Sequence, residues 1–299
     1  MARFGAVLTA MVTPFDEDGA LDLDAARDLA RRLVDDGNQG LVLAGTTGES
    51  PTLTHAEEAD LFAAVREVVS VPLLAGTGSN NTREALAATE AAAALGVDGL
   101  LQVAPYYNRP SQAGLAAHFA AVASSTDLPI MLYDIPVRTG RKVETETLLS
   151  LAHEHRNIVA LKDAAGDPAE TARLITQAPE GFEVYSGDDK LTLPLLSVGA
   201  VGVVGVATHW CAAEMVEMIE AFAKGDVERA RALNVRMMAS FDFESTPDAP
   251  NPVPTKAMLR TLGLAVGACR PPMGPEPDGL AERARAVHAE LVDGRLAGA

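Results

Sequence analysis

Short apolar runs alternate with amphipathic stretches along almost the whole chain. The runs Gly5–Val12, Gly40–Ala44, Leu73–Gly76, Gly99–Val103, Ile130–Tyr133, Ile158–Leu161, Phe182–Tyr185 and Ala200–Val204 are too short for helices. They fit strands buried on both faces. The stretches between them carry helix signals. Thr54-His-Ala-Glu57 predicts a capping box, and Asp167-Pro168 predicts an N-cap followed by proline in the first turn. Gly37 and Gly96 follow helical runs as C-terminal stops. Successive strands are spaced by roughly 20–35 residues, about what one βα unit needs in an eightfold barrel of about 250 residues. Eight units favour the α/β class and a (β/α)8 TIM barrel, with an open doubly wound sheet as the alternative.

Beyond the eighth run, helical patterns extend from Thr208 to Lys224 and from Asp226 to about Phe241. A proline-rich stretch, Thr246 to Pro254, precedes further helix from Thr255 and from about Asp278. Residues 1–224 are therefore expected to form the barrel and 225–299 a small C-terminal helical annex packed on it. The prolines are expected to fix a connector, and Arg295 to Ala299 to fray.

Composition narrows the setting. With 48 % hydrophobic residues in 299, the chain reads as globular and long enough for a large core. Its net charge of −17 repels phosphate backbones and anionic lipid, which argues against nucleic-acid and membrane partners. Cys211 and Cys269 are too few for a disulfide framework and lack paired metal-ligand spacing. Phe4 to Val12 reads as a first strand ending in a turn, not as a signal peptide, and no apolar stretch is long enough to span a bilayer. A cytoplasmic location is expected.

In a (β/α)8 barrel the active site lies at the C-terminal strand ends, so the residues after each run form one candidate constellation. The second run leads into Gly45-Thr46-Thr47-Gly48-Glu49-Ser50, two hydroxyls flanked by glycines that let backbone amides approach an anion. The fourth leads into Pro105-Tyr106-Tyr107-Asn108. The fifth ends in Tyr133 and continues to Arg138-Thr-Gly140. The sixth delivers Lys162, the seventh Ser186-Gly187-Asp188-Asp189, and the eighth the glycine-spaced run to Gly205. A lysine ending a buried strand enters a largely dry space, where burial disfavours the ammonium. A neutral amine there can attack a ketone to form a Schiff base. The competing reading is a lysine that snorkels to solvent or pairs with Asp163. Three of the four tyrosines fall at strand ends and Tyr185 closes the seventh run. Each alone is a normal strand residue, but together with the lysine and the hydroxyl pair they suggest proton transfer. Weaker patterns carry less. Gly76-Thr-Gly78-Ser-Asn80 reads as a strand-end turn, His153-Glu-His155 as a solvated helix end, and Asp188-Asp189 as a helix cap. No metal or organic cofactor is indicated.

These motifs resemble the pyruvate-dependent class I aldolases, the family of the dihydrodipicolinate synthases and N-acetylneuraminate lyases. Gly45–Ser50, Tyr106-Tyr-Asn-Arg-Pro110, Arg138-Thr-Gly140, Lys162 and Ser186-Gly-Asp188 match in order and spacing. The likeness runs from Val12-Thr13-Pro14-Phe15 through Asn251-Pro252 and Lys256. It implies that Lys162 condenses with the ketone of pyruvate and that Tyr133 shuttles protons during imine formation. Thr46 and Tyr107 would complete a hydroxyl relay, with Tyr107 reaching in from a neighbouring subunit of a homotetramer, a dimer of dimers. Thr47, Gly187 and the backbone at Val204 would hold the pyruvate part. Arg138 would meet the carboxylate of aspartate-4-semialdehyde, a role suited to its fork geometry; the competing reading is a surface salt bridge. Sugar-acid lyases of the same family usually lack the Arg-Thr-Gly and the paired tyrosines. Two alternatives stay open: a sister lyase or dehydratase acting on a sugar acid, and a barrel that has lost catalysis and binds metabolites.

The chain departs from the family's common pattern at Asp134 (usually asparagine), Val137, Ala165 and Gly205. Ser50, His55, Asn80, Glu84 and Tyr106 match an allosteric lysine site. Pro51 and Glu58 replace the usual alanine and the histidine of sensitive enzymes, which is expected to weaken or abolish lysine feedback.

Overall fold

The computed structural model describes residues 2–297. Eight strands, β1 (Val7–Ala10), β2 (Gly40–Leu43), β3 (Leu73–Gly76), β4 (Gly99–Val103), β5 (Ile130–Asp134), β6 (Ile158–Asp163), β7 (Glu183–Ser186) and β8 (Gly202–Gly205), follow one another in a closed barrel. The expected (β/α)8 architecture is therefore observed. Twelve helices lie among the described residues. Seven precede β7: α1 (Leu23–Asp35), α2 (His55–Arg66), α3 (Thr82–Ala94), α4 (Gln112–Ser124), α5 (Pro136–Thr139), α6 (Thr145–Glu154) and α7 (Pro168–Gln177). They are followed by α8 (Thr192–Leu196), α9 (Thr208–Ala223), α10 (Val227–Phe243), α11 (Val253–Thr261) and α12 (Leu280–Ala297). Gly298 and Ala299, part of the segment expected to fray, lie outside the described residues; Arg295 to Ala297 continue α12.

Local chemistry accounts for the element boundaries. The Asp22 side chain caps α1 by accepting from Ala25 N, and Ala26, Leu29, Ala30 and Leu33 turn one stripe inward at helical spacing. Thr54 and Glu57 form the expected capping box on α2, and Asp167 with Pro168 opens α7. Gly37 (φ +109°) and Gly96 (φ +73°) adopt the left-handed conformation just past α1 and α3. Helix α11 begins at Val253, two residues before the expected Thr255, because Pro254 is accommodated in its first turn.

Two compact units make up the chain: residues up to Ala6 with Pro72–Val204, and Val7–Val71 with the chain from Gly205 onward. In the first, β3 to β7 pair in parallel sequence, and β6 is buried at all six positions. The strand is two residues longer than its apolar run, so Lys162 and Asp163 are strand residues. Between β5 and β6 the register slips by one: Ile130 faces Ile158, but Met131 faces Ala160. Val159 is the extra residue of this bulge, and the slip sets Lys162 opposite Tyr133, where an unbroken register would set Leu161.

In the second unit, His209 links the start of α9 to the exit of β1. Its Nε2 accepts from Val12 N at 3.1 Å and its Nδ1 donates to Val206 O at 2.7 Å. Burial pushes its pKa down to about 4, so it serves as a neutral structural linker. Among the described residues no helix is long and apolar enough to cross a membrane.

Candidate active site

In the first unit the site grows from two adjacent strands. Tyr133 and Lys162 are register partners, each 5 % exposed, and Lys162 Nζ lies 4.4 Å from the centre of the Tyr133 ring. Lys162 does not snorkel to solvent. Strand alternation sends Asp163 to the other face, where its carboxylate accepts from Thr171 Oγ1 of α7 at 2.5 Å and from Ala165 N at 2.9 Å. Gly187 lies against the lysine. A Cβ there would come 3.0 Å from Lys162 Cγ and 3.1 Å from Cε, a tight contact that the lysine would have to yield to by a few tenths of an ångström. Its N–H donates to Asp163 O at 2.7 Å, which fixes the close approach. Val204 lies in β8 and is buried.

Asp134 ends β5 beneath Tyr133 and is almost fully buried. It accepts from Val143 N at 3.1 Å and pairs with Lys142 Nζ at 3.4 Å, tying together the two ends of the turn that carries Arg138. Burial pushes its pKa up to about 6, with Asp163 adding repulsion and Val143 and Lys142 opposing. Arg138 is exposed on α5, and its guanidinium has no ion-pair partner among the described residues. Tyr107 is 89 % exposed with φ +72°, a left-handed backbone unusual for a tyrosine, and Arg109 shares that conformation at φ +48°. Tyr106 is half-buried, and its carbonyl accepts from Asn80 Nδ2 at 3.1 Å. Glu84 is exposed and accepts from Ser79 Oγ and Asn81 Nδ2. Tyr185 takes no part in this cluster. Its hydroxyl donates to Glu183 at 2.7 Å and accepts from Phe4 N at 3.3 Å; burial and the neighbouring carboxylate push the phenol's pKa upward.

The second unit carries the hydroxyl loop. Thr46 is half-buried and Thr47 2 % exposed, on a turn flanked by left-handed Ala44 (φ +50°) and Glu49 (φ +56°). Gly48 is favoured by space, since a Cβ would stand a tight 3.1 Å from the backbone atoms Ala44 N and Met11 O. Three residues far along the chain grip this loop. Asn251 Nδ2 donates to Thr47 Oγ1 at 2.9 Å, Lys256 Nζ pairs with Glu49 Oε1 at 2.7 Å, and Arg270 N donates to Glu49 Oε2 at 2.8 Å. Lys256 and Glu49 are each 1 % exposed at their side chains, a buried pair that needs such close geometry to offset desolvation. Sequence reading did not find these contacts. Their signals were Glu49 beside two hydroxyls and the family likeness at Asn251-Pro252 and Lys256, neither of which joins the partners. Ser50 is half-buried and His55 exposed; His55 Nδ1 lies 3.1 Å from Glu58 Oε2, and burial raises the Glu58 pKa. Among the described residues no group of His, Cys, Asp or Glu is placed to hold a metal ion.

A lysine amine buried on the sixth strand of a (β/α)8 barrel and set over a tyrosine ring is an arrangement with which a Schiff-base-forming enzyme can work. The chain belongs to the dihydrodipicolinate synthetase family, whose model matches residues 3–290, and it is a lyase of that family. It is 51 % identical over 273 residues to the 4-hydroxy-tetrahydrodipicolinate synthase of Moorella thermoacetica, covering 91 % of this chain and 92 % of that one. The crystal structure of the dihydrodipicolinate synthase of Cyanidioschyzon merolae with lysine bound superposes with a TM-score of 0.95 at 44 % identity, over 98 % of this chain and 99 % of that one. The chloride-inhibited enzyme of Acinetobacter baumannii complexed with pyruvate gives 0.91 at 34 % identity, over 97 % and 99 %.

Proposed function

We propose that this protein condenses pyruvate with L-aspartate-4-semialdehyde, the 4-hydroxy-tetrahydrodipicolinate synthase reaction of diaminopimelate and lysine biosynthesis. The observation that carries the reading is Lys162 Nζ held 4.4 Å over the Tyr133 ring in a chain of this family. The neutral amine of Lys162 adds to the ketone carbon of pyruvate, and loss of water leaves an imine. Tyr133 moves the protons of that step, relayed by the hydroxyls of Thr46 and Tyr107. Loss of a methyl proton turns the imine into an enamine, whose carbon bonds to the aldehyde of the second substrate. The amino group of that substrate then attacks the imine carbon, closing the ring and expelling Lys162.

Thr47, Gly187 and the backbone at Val204 hold the pyruvate part. Arg138, with no ion pair to compete for it among the described residues, receives the carboxylate of the semialdehyde. The exposure of Tyr107, at 89 %, supports its use in a neighbouring subunit of a homotetramer. We read residues 1–224 as the barrel and 225–299 as an annex, and the contacts from Asn251, Lys256 and Arg270 to the hydroxyl loop support the annex packing on the barrel. The carboxylate of Glu58 engages His55, which supports weak or absent lysine feedback at a site formed by Ser50, His55, Asn80, Glu84 and Tyr106. The enzyme works in the cytoplasm with pyruvate and the semialdehyde as its small-molecule partners. The test is product formation from pyruvate with each of two acceptors, aspartate-4-semialdehyde and N-acetylmannosamine. Turnover with the semialdehyde is the expected result. Turnover with the sugar alone would move the protein to the sugar-acid lyases.

A further inference from the structure

We propose that Asn251 sets the Thr47 hydroxyl as a hydrogen-bond donor to the substrate carboxylate, which makes Asn251 a positioning residue for pyruvate. The inference rests on the reading that Thr47 holds that carboxylate. A threonine hydroxyl has one proton to give and two lone pairs to receive with. A carboxylate only accepts, so Thr47 serves it only while its proton is free for donation.

Asn251 provides that condition. Its Nδ2 donates to Thr47 Oγ1 at 2.9 Å, which occupies a lone pair and leaves the proton unused. The opposite amide orientation would turn Oδ1 toward Thr47 and take the proton. In the structure Oδ1 instead faces Thr255 Oγ1, 3.4 Å away and one helical turn on. Thr47 is 2 % and Asn251 7 % exposed, so little bulk water competes for either group.

The bland alternative is that the Asn251–Thr47 bond only fastens the loop. The loop is fastened elsewhere, however. Thr13 Oγ1 donates to Gly48 O at 2.6 Å, and Glu49 is held by Lys256 at 2.7 Å and by Arg270 N at 2.8 Å. Removing the amide of Asn251 leaves these anchors and releases the Thr47 rotor.

The experiment compares wild type with Asn251→Ala, Asn251→Asp and Thr47→Ala as full-length proteins. It reads pyruvate KM and kcat across pH, together with borohydride-trapped imine as a function of pyruvate concentration. Asn251→Ala is expected to raise pyruvate KM about tenfold with kcat changed less than about threefold, the size of one lost hydrogen bond. Asn251→Asp, of the same shape, is expected to raise it more, because a carboxylate accepts the Thr47 proton. That rise should shrink as pH falls and the carboxyl regains a proton to donate, a response that a fastening role would not produce. If Thr47→Ala raises KM while both Asn251 variants lower only the melting temperature, the positioning role is overturned. If Thr47→Ala itself leaves KM unchanged, the assignment of Thr47 fails, and the inference with it.

Discussion

Replacing Asp134 by asparagine should stabilise the protein at neutral and alkaline pH and change it little at about pH 4. Asp134 is 1 % exposed, and burial lifts its pKa from the ordinary 3.8 to about 6 despite the N–H of Val143 and the ammonium of Lys142. A rise of that size corresponds to about 3 kcal/mol in favour of the neutral acid, at about 1.4 kcal/mol per pH unit. The sign is opposite to that of a salt-bridged carboxylate. Below the unfolded value both states hold the proton, and the group has no effect on stability. Between 3.8 and about 6 the folded state binds more protons than the unfolded one, so stability falls as pH rises through that window. Above it the full cost persists. Asparagine cannot ionise and keeps an acceptor for Val143 N. The weak attraction of Lys142, 37 % exposed, is already contained in the raised value. About 3 kcal/mol of stabilisation follows, equivalent to about 5 °C in melting temperature for a chain of this size. Thermal unfolding of both proteins at several pH values between about 4 and 8 reads the effect. A difference that does not grow with pH, or a variant less stable at pH 8, would refute the reasoning.

Three further outcomes follow from the site. Arg138→Ala should raise KM for aspartate-4-semialdehyde by about 10–100-fold, the worth of a charge-assisted hydrogen bond, and leave pyruvate KM unmoved in steady-state kinetics. Gly187→Ala should lower kcat about a hundredfold, because its Cβ would stand 3.0 Å from Lys162 Cγ and displace the amine; normal turnover would show that the lysine tolerates the shift. Lysine added to the assay should not reach half-maximal inhibition below the millimolar range, while Glu58→His should increase sensitivity; sub-millimolar inhibition of the wild type would contradict the occupied His55.

Hydrophobic patterning made the barrel legible because eight buried strands leave apolar runs that no exposed segment would carry. It failed at the ends of those runs. Strand β6 continues through Lys162 and Asp163, since a lysine can be held inside and an aspartate can face a helix hydroxyl, and neither reads as apolar. The bulge at Val159, which sets the lysine opposite Tyr133, leaves no mark in composition. The catalytic candidates were legible as residue types at strand ends. Tyr185 looked equivalent to the other tyrosines until its hydroxyl proved to be bound to Glu183 and Phe4. The grip of Asn251, Lys256 and Arg270 on the Thr47–Glu49 loop was not legible at all, because the partners lie some 200 residues apart and no local pattern joins them.

The central claim is that Lys162 is the amine that captures pyruvate. Borohydride reduction in the presence of pyruvate, read by intact mass and peptide mapping, tests it directly. A single adduct of reduced pyruvate on the peptide containing Lys162, absent in Lys162→Ala, is the expected result. No adduct, or an adduct on another lysine such as Lys256, would contradict the account.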